Sequence, residues 1–397
     1  MIQPGPLKTF FTLSFPALLT LTACIRNNPT PSGALASQAS HQAEPAGALK
    51  TVVKDTLLDE TANLLAGYPF RMLSVDTSNQ KYKAYLKNIE SDWKIVRRNK
   101  IGPITTWSKN YIKEHSVDTA TLFYPFSGAD FLYPHSFFPN AADYILIGLE
   151  PVGSILRPDT LQPDELARYL GQIRSSIYLS NNLGFFRTKS METDFNQEEL
   201  NGTLPVLAFY LKRTHHTLLS LSFFNLDTAG NMIETGSDKA SGCRISYCDS
   251  LDDQAHHLYY LSIDLSDGNL ESHPGLFPFL TSFSEQAVFL KAASYLMFLP
   301  DFELIRDYIL DHSTAVLQDD SGIPYRKFPA KNWNVSLFGA YTGTIDLFKY
   351  KFQPDLKEAY AKQQTPMPVP FRIGYNVKSG ETNLLYATRI QPLAAEK

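Results

Sequence analysis

Ala120-Thr121-Leu122-Phe123-Tyr124-Pro125-Phe126-Ser127-Gly128-Ala129-Asp130 and Tyr144-Ile145-Leu146-Ile147-Gly148-Leu149-Glu150-Pro151 are the two most telling runs in the chain. Each is a nearly continuous apolar stretch, rich in β-branched and aromatic residues, that stops at turn residues. That is the signature of a strand buried on both faces. Residues 131–138 between them read as a short helical connector, and residues 164–181 as a helix started by Thr160 or Pro163. Upstream, residues 50–66 and 81–96 place apolar side chains at helical spacing, the first run ending at Gly67, and residues 107–115 read as a shorter third helix. Downstream, residues 218–226 and 258–265 read as strands joined by a polar, glycine-bearing excursion over 227–257. Residues 284–299 and 302–310 read as helices split at Pro300, and residues 315–318, 335–341, 371–377 and 384–390 as strands. Helices and strands alternate early and strands dominate late. The pattern predicts an α/β fold: a Rossmann-like three-layer α/β/α body with a mixed sheet and irregular C-terminal additions.

Composition narrows the classes. The 44% apolar content, with 26 Phe and 21 Tyr, excludes a disordered chain, which could not leave so much apolar surface unburied. Thirty-six basic against 40 acidic residues give a net charge of −4, which offers no basic footprint for nucleic acid. Three cysteines exclude a disulfide-rich miniprotein.

The N-terminus reads as an address. Lys8 precedes the apolar run Phe10-Phe11-Thr12-Leu13-Ser14-Phe15-Pro16-Ala17-Leu18-Leu19-Thr20-Leu21, which is too short for a membrane-spanning helix and suits the core of a signal peptide. It ends in Leu21-Thr22-Ala23-Cys24, which resembles the lipobox of bacterial lipoproteins: an apolar residue, two small ones, then cysteine. The resemblance implies diacylglycerol on the Cys24 sulfur, cleavage before it and acylation of the new amine, enough acyl chain for stable anchoring. Position 25 is Ile rather than Asp. In Gram-negative lipoproteins that absence implies export to the outer membrane. The organisation expected is a signal peptide over 1–23, the lipidated Cys24 with a flexible tether over 24–48, and one globular α/β domain over 49–397. The tether is rich in Asn, Pro, Ser, Ala, Gln and Gly and lacks apolar periodicity. The chain is thus expected in the bacterial cell envelope, partnered with the membrane through its lipid and with an envelope ligand or protein the sequence does not name.

The sharpest chemical cluster is Pro125-Phe126-Ser127-Gly128-Ala129-Asp130 with Glu150 beyond it. A strand ending in a small-residue turn, followed by a strand ending in an acid, is the layout in which a turn admits a ligand and the acid bonds ribose hydroxyls. These residues resemble the first two strands of class I SAM-dependent methyltransferases. They depart from that family in having one glycine where a G-x-G loop is expected, and in their short connector. SAM is made and kept in the cytosol, so no cofactor is expected of an exported chain, and the commoner reading is a structural turn in a repurposed fold. Ser127 also stands at a strand-to-helix turn, but the esterase elbow G-x-S-x-G lacks its first glycine here. His215-His216 and His256-His257 offer one ligand per face on a strand, and no H-x-x-x-H exists, so no metal site is expected.

Two further clusters complete the candidates. Asp319-Asp320-Ser321-Gly322 follows a strand and suits either a turn or an acid–base pair. Cys243 and Cys248 lie close in sequence within the polar excursion and, in an oxidising exterior, are expected to form a disulfide. The leading expectation is a non-catalytic ligand- or partner-binding body. The rival is an exported hydrolase with Ser127, Asp130, Glu150, Asp319 and Asp320 around one pocket. Convergence of these carboxylates with a histidine in one cavity would favour the enzyme, and carboxylates each satisfied locally would favour binding.

Overall fold

Parallel pairing of the two runs quoted above sets the architecture. In the computed structural model, which describes residues 54–112, 120–183, 202–249, 254–283, 285–363, 367–375 and 381–390, β1 (Thr121–Tyr124) lies beside β2 (Asp143–Gly148) with Leu122 opposite Tyr144. The leader, Cys24 and the tether fall outside the described residues. On its other side β1 pairs, also in parallel, with β7 (Gln286–Leu290). The remaining strands are β3 (His216–Leu226), β4 (Met232–Glu234), β5 (Gly242–Asp249), β6 (Ala255–Ser262), β8 (Ser313–Gln318), β9 (Trp333–Gly339) and β10 (Asn383–Arg389). Together they form one ten-stranded mixed sheet in the order β4-β3-β5-β6-β2-β1-β7-β8-β10-β9. Its five central strands, β6 to β8 in that order, are mutually parallel. Antiparallel strands extend both edges, and β10 runs opposite to both β8 and β9.

Strand alternation sorts the core into two halves, one on each face of the sheet. Leu122, Tyr124, Tyr144, Leu146 and Phe289 point to one side, where they meet helices Thr56–Ala66, Gln80–Val96, Leu132–Phe137, Pro163–Leu183 and Leu204–Arg213. Phe123, Ile145, Ile147, Val288 and Leu290 point to the other, against helices Leu276–Thr281, Glu303–His312 and Pro354–Ala361. Each large apolar side chain buried this way stabilises the fold by about 1.5–3 kcal/mol. The helix Leu204–Arg213 is buried all round. Its one ammonium near the sheet, Lys212, donates to Asp59 at 2.7 Å, and Asp59 also accepts from the Leu218 amide of β3 at 3.0 Å. Burial alone would raise the Asp59 pKa. The Lys212 and Leu218 hydrogen bonds outweigh it and hold the carboxyl below its usual range.

The three-layer α/β/α expectation is met, and the departures from it are local. Residues 284–299, expected to be helical, contain the central strand β7, all of whose residues are buried. The polar excursion over 227–257 carries β4, all of β5 and the start of β6, pairing antiparallel with its neighbours. This placement also corrects the disulfide. Cys243 and Cys248 stand five positions apart along one extended strand, about 16 Å at strand rise, whereas a disulfide needs Cα atoms within about 7 Å. The two sulfurs are not joined, and burial pushes the Cys243 thiol up to about 12. Residues 371–375 form no strand, because Gly374 adopts a left-handed conformation against Asp319, and 376–377 lie outside the described residues.

Candidate functional site

The carboxyl ends of β1, β2, β6 and β7 open on one edge of the sheet. The chain leaves β1 towards the face carrying helix Leu132–Phe137 and enters β7 from the face carrying helix Leu276–Thr281. The connections therefore diverge at β1 and β7, the kind of switch point at which open α/β sheets bind ligands. A cavity of about 670 Å³ lies there, lined by the loops after all four strands.

The β1 loop is stitched to β2. The Ser127 amide and hydroxyl both donate to the Ile147 carbonyl, at 2.7 and 3.0 Å. Phe126 and Gly128 are left-handed on either side. Glu150, only 4% exposed, fills the gap between the two strand ends. A Cβ on Gly148 would stand 2.6 Å from the Glu150 Oε2 and 2.8 Å from the Gly128 Cα, so only glycine admits this approach. Tyr260 of β6 donates to the Glu150 carbonyl at 2.7 Å and fixes the backbone below the carboxylate.

At the floor, Lys291 donates to Asp130 at 2.6 Å, with each side chain 1% exposed. The Tyr124 hydroxyl reaches the same carboxylate oxygen at 3.3 Å, and the Lys291 ammonium lies 3.6 Å from the centre of the Tyr133 ring. Burial draws the Lys291 pKa down, and the Asp130 charge opposes that pull. Behind the ring, Lys100 donates to the Tyr133 hydroxyl at 2.7 Å. Burial, then the Lys291 charge, lowers Lys100 to about 7.

The loop after β7 is strained. Ala292, Ser294 and Tyr295 all have φ between 50° and 56°, a conformation that costs a side-chain-bearing residue about 1–3 kcal/mol and persists only where neighbours impose it. Asp319 imposes it here, accepting from the Ala292 amide at 2.9 Å, while the Ser321 hydroxyl accepts from the Ala293 amide at 2.8 Å. Asp320 accepts from the Tyr295 hydroxyl and, at 3.0 Å, from the Asn383 side chain. Tyr375 closes over the loop by donating to the Ala292 carbonyl at 2.9 Å.

The structure therefore brings Ser127, Asp130 and Glu150 into one cavity and places Asp319 and Asp320 behind it as braces. No histidine lines the cavity among the described residues. His135 and His216 instead meet each other, Nε2 to Nε2 at 2.7 Å, on the helical face bearing Tyr144. Burial holds both below the usual histidine range. No group of three potential metal ligands occurs among the described residues. Sequence reasoning missed Lys291 and the left-handed turn after it. Their signal is present in the sequence, since Lys291 directly follows the apolar run Ala287-Val288-Phe289-Leu290, but that run falls inside residues 284–299, whose pattern reads as a helix. No family model, no curated protein and no solved structure matches the chain.

Asp320 supplies a pH test of the bracing. Burial, and next the Asp319 charge, push it up to about 6, while an unfolded Asp titrates near 4. Between about pH 4 and 6 the native chain holds a proton that the unfolded chain has released, so this group makes stability fall as pH rises through that window. Urea unfolding followed across the window is expected to show that slope in the wild type and to lose this part of it in Asp320→Asn. An identical slope in both chains contradicts the assignment.

Proposed function

We propose that the chain is a lipid-anchored, non-catalytic binding protein whose cavity takes a small ligand with a vicinal diol, a ribose foremost. The observation that carries this reading is the seat of Glu150. Its carboxylate stands at the carboxyl end of the strand next to β1, against the Gly128 loop, where doubly wound folds place the acid that accepts from ribose hydroxyls. The sheet lends support. Counted along the chain among the parallel core, the order β6-β2-β1-β7-β8 is 3-2-1-4-5, the order of a dinucleotide-binding half. The sequence around Gly128 and Glu150 resembles the first two strands of class I methyltransferases.

The charges select among such ligands. Lys291 is the one cation lining the cavity among the described residues, and it is engaged by Asp130, while Glu150 and Asp264 add carboxylates. A phosphate would meet acids and no available cation. A neutral nucleoside, or one bearing a cationic group, fits the lining: Glu150 to accept from the diol, with Leu149 and Ile263 as apolar flanks for a base. This chain's residues hold and orient the ligand. Hydrolysis draws no such support, because the Ser127 hydroxyl is committed to backbone carbonyls and Asp319 and Asp320 to the strained loop.

The anchor rests on Leu21-Thr22-Ala23-Cys24. Cells fed labelled palmitate are expected to label the wild type and leave Cys24→Ser unlabelled; equal labelling of both, or of neither, removes the anchor from the account. The cavity is tested on the chain from Ile25 onwards, which retains every described residue. Calorimetric titration with adenosine is expected to show binding that Glu150→Gln weakens about tenfold or more, the scale of one lost hydrogen bond to a charged group, and that 2′-deoxyadenosine reproduces only in part. No heat with adenosine or S-adenosylhomocysteine, or indifference to Glu150→Gln, overturns the reading.

A further inference from the structure

One wall of the cavity has a second face. Ile345, with Leu347 and Phe348 of the 3-10 segment Asp346–Lys351 that follows it, lines the cavity. Phe348 packs inward, its ring 5.0 Å from that of Tyr295 and 5.4 Å from that of Tyr375. Its neighbours do the opposite. Leu347 is 66% exposed, Tyr350 72% and Phe352 40%, the first two among the most exposed large apolar side chains described. Singly exposed apolar residues need no explanation. Three within six positions, protruding from one short turn, do.

Cations surround them. Lys351 stands 5.3 Å from the Tyr350 ring centre, and Lys357 5.7 Å from that of Phe352. Lys349 is exposed on the same segment. Exposed Arg326 and Lys327 belong to a turn tied to this corner by the Tyr325 amide, which donates to Gln353 at 2.8 Å. Against these five stand Asp346 and Asp355, while Glu358 is engaged by Lys362 at 2.7 Å. The corner is thus cationic in a chain whose net charge is −4.

We infer that the segment Asp346–Lys351 with Phe352 docks on an anionic lipid surface, Leu347, Tyr350 and Phe352 entering the headgroup layer and the surrounding lysines meeting lipid phosphates. Tyrosine beside lysine on a protruding apolar turn is the chemistry of the membrane interface: an amphipathic ring at headgroup depth and long cationic stems that keep their charge in water. The basic ring against a negative surface supplies the attraction, which falls with salt. Docking in this way would bring the cavity mouth to the level of the headgroups, because Leu347 belongs to both faces. The inference stands independently of the ligand and of the acyl anchor.

The test uses the chain from Ile25, which has neither the apolar leader nor Cys24. It is floated with vesicles of phosphatidylcholine alone and of phosphatidylcholine with phosphatidylglycerol, at low and high salt. The wild type is expected to float with the anionic vesicles, to do so less at high salt, and to stay behind with the neutral ones. The pair Leu347→Asp with Tyr350→Asp, and separately the pair Lys349→Glu with Lys351→Glu, are each expected to lower the bound fraction about tenfold or more. Circular dichroism reports whether these surface variants keep the fold. Failure of the wild type to float, or flotation unchanged in both folded variants, overturns the inference. Self-association that the same substitutions abolish, without any vesicle binding, would assign the surface to a second copy of the chain and overturn it equally.

Discussion

One buried ion pair, Asp130 with Lys291, joins two of the four loops that line the cavity. Asp130 ends the β1 turn, and Lys291 follows β7 immediately, so their 2.6 Å contact fixes the spacing of those loops. Neither charge is tolerable there alone, since desolvating an unpaired ion costs several kcal/mol. The pair is also shared: Tyr124 reaches the carboxylate and Tyr133 lies under the ammonium. Such a buried polar cluster specifies one arrangement of its neighbours more than it adds net stability. Here the arrangement specified is the floor of the cavity.

Around that floor the chain accepts strain and close approach that an ordinary turn avoids. Phe126, Ala292, Ser294 and Tyr295 are left-handed, and apart from His215 they are the described non-glycine residues in that region. Gly148 and Gly128 allow Glu150 between two strand ends, and Gly374 allows Asp319 under the strained loop, where a Cβ would come within 1.8 Å of its carboxylate. Backbone forced into place by buried acids is preorganised, and preorganisation lowers the entropy lost when a ligand is ordered. The same engagement leaves Asp319 and Asp320 little part in acid–base chemistry, which supports the proposal of a binding rather than a hydrolytic role.

Much of this was legible in the residues. The runs around Phe123 and Ile145 were readable as buried strands because parallel strands covered on both faces carry unbroken apolar sequence, and Glu150 was readable as a strand-end acid for the same reason. Reading failed where sequence and burial disagree. Gln286-Ala287-Val288-Phe289-Leu290 is as apolar as the first two strands, but the Ala-Ala-Ser beyond it mimics a continuing helix, so Lys291 lost its place at a strand end. β5 is a half-polar strand, its apolar residues interrupted by Arg244 and Ser246, and its cysteines suggested a loop. Helix Leu204–Arg213 is buried all round although it ends in Lys212 and Arg213, and the acid that satisfies Lys212 is distant in sequence. Asp319 and Asp320 were found as a cluster, but only the fold shows that they face the back of a strained loop and not the cavity.

The most direct measurement is a double-mutant cycle on the floor: urea unfolding of the wild type, Asp130→Asn, Lys291→Met and the chain carrying both. If the pair couples the two loops, each single substitution loses about 3–5 kcal/mol by stranding the other charge, and the double substitution loses clearly less than their sum. Strictly additive losses, or single losses below about 1 kcal/mol of the kind surface pairs show, would contradict the claim that this contact holds the site together.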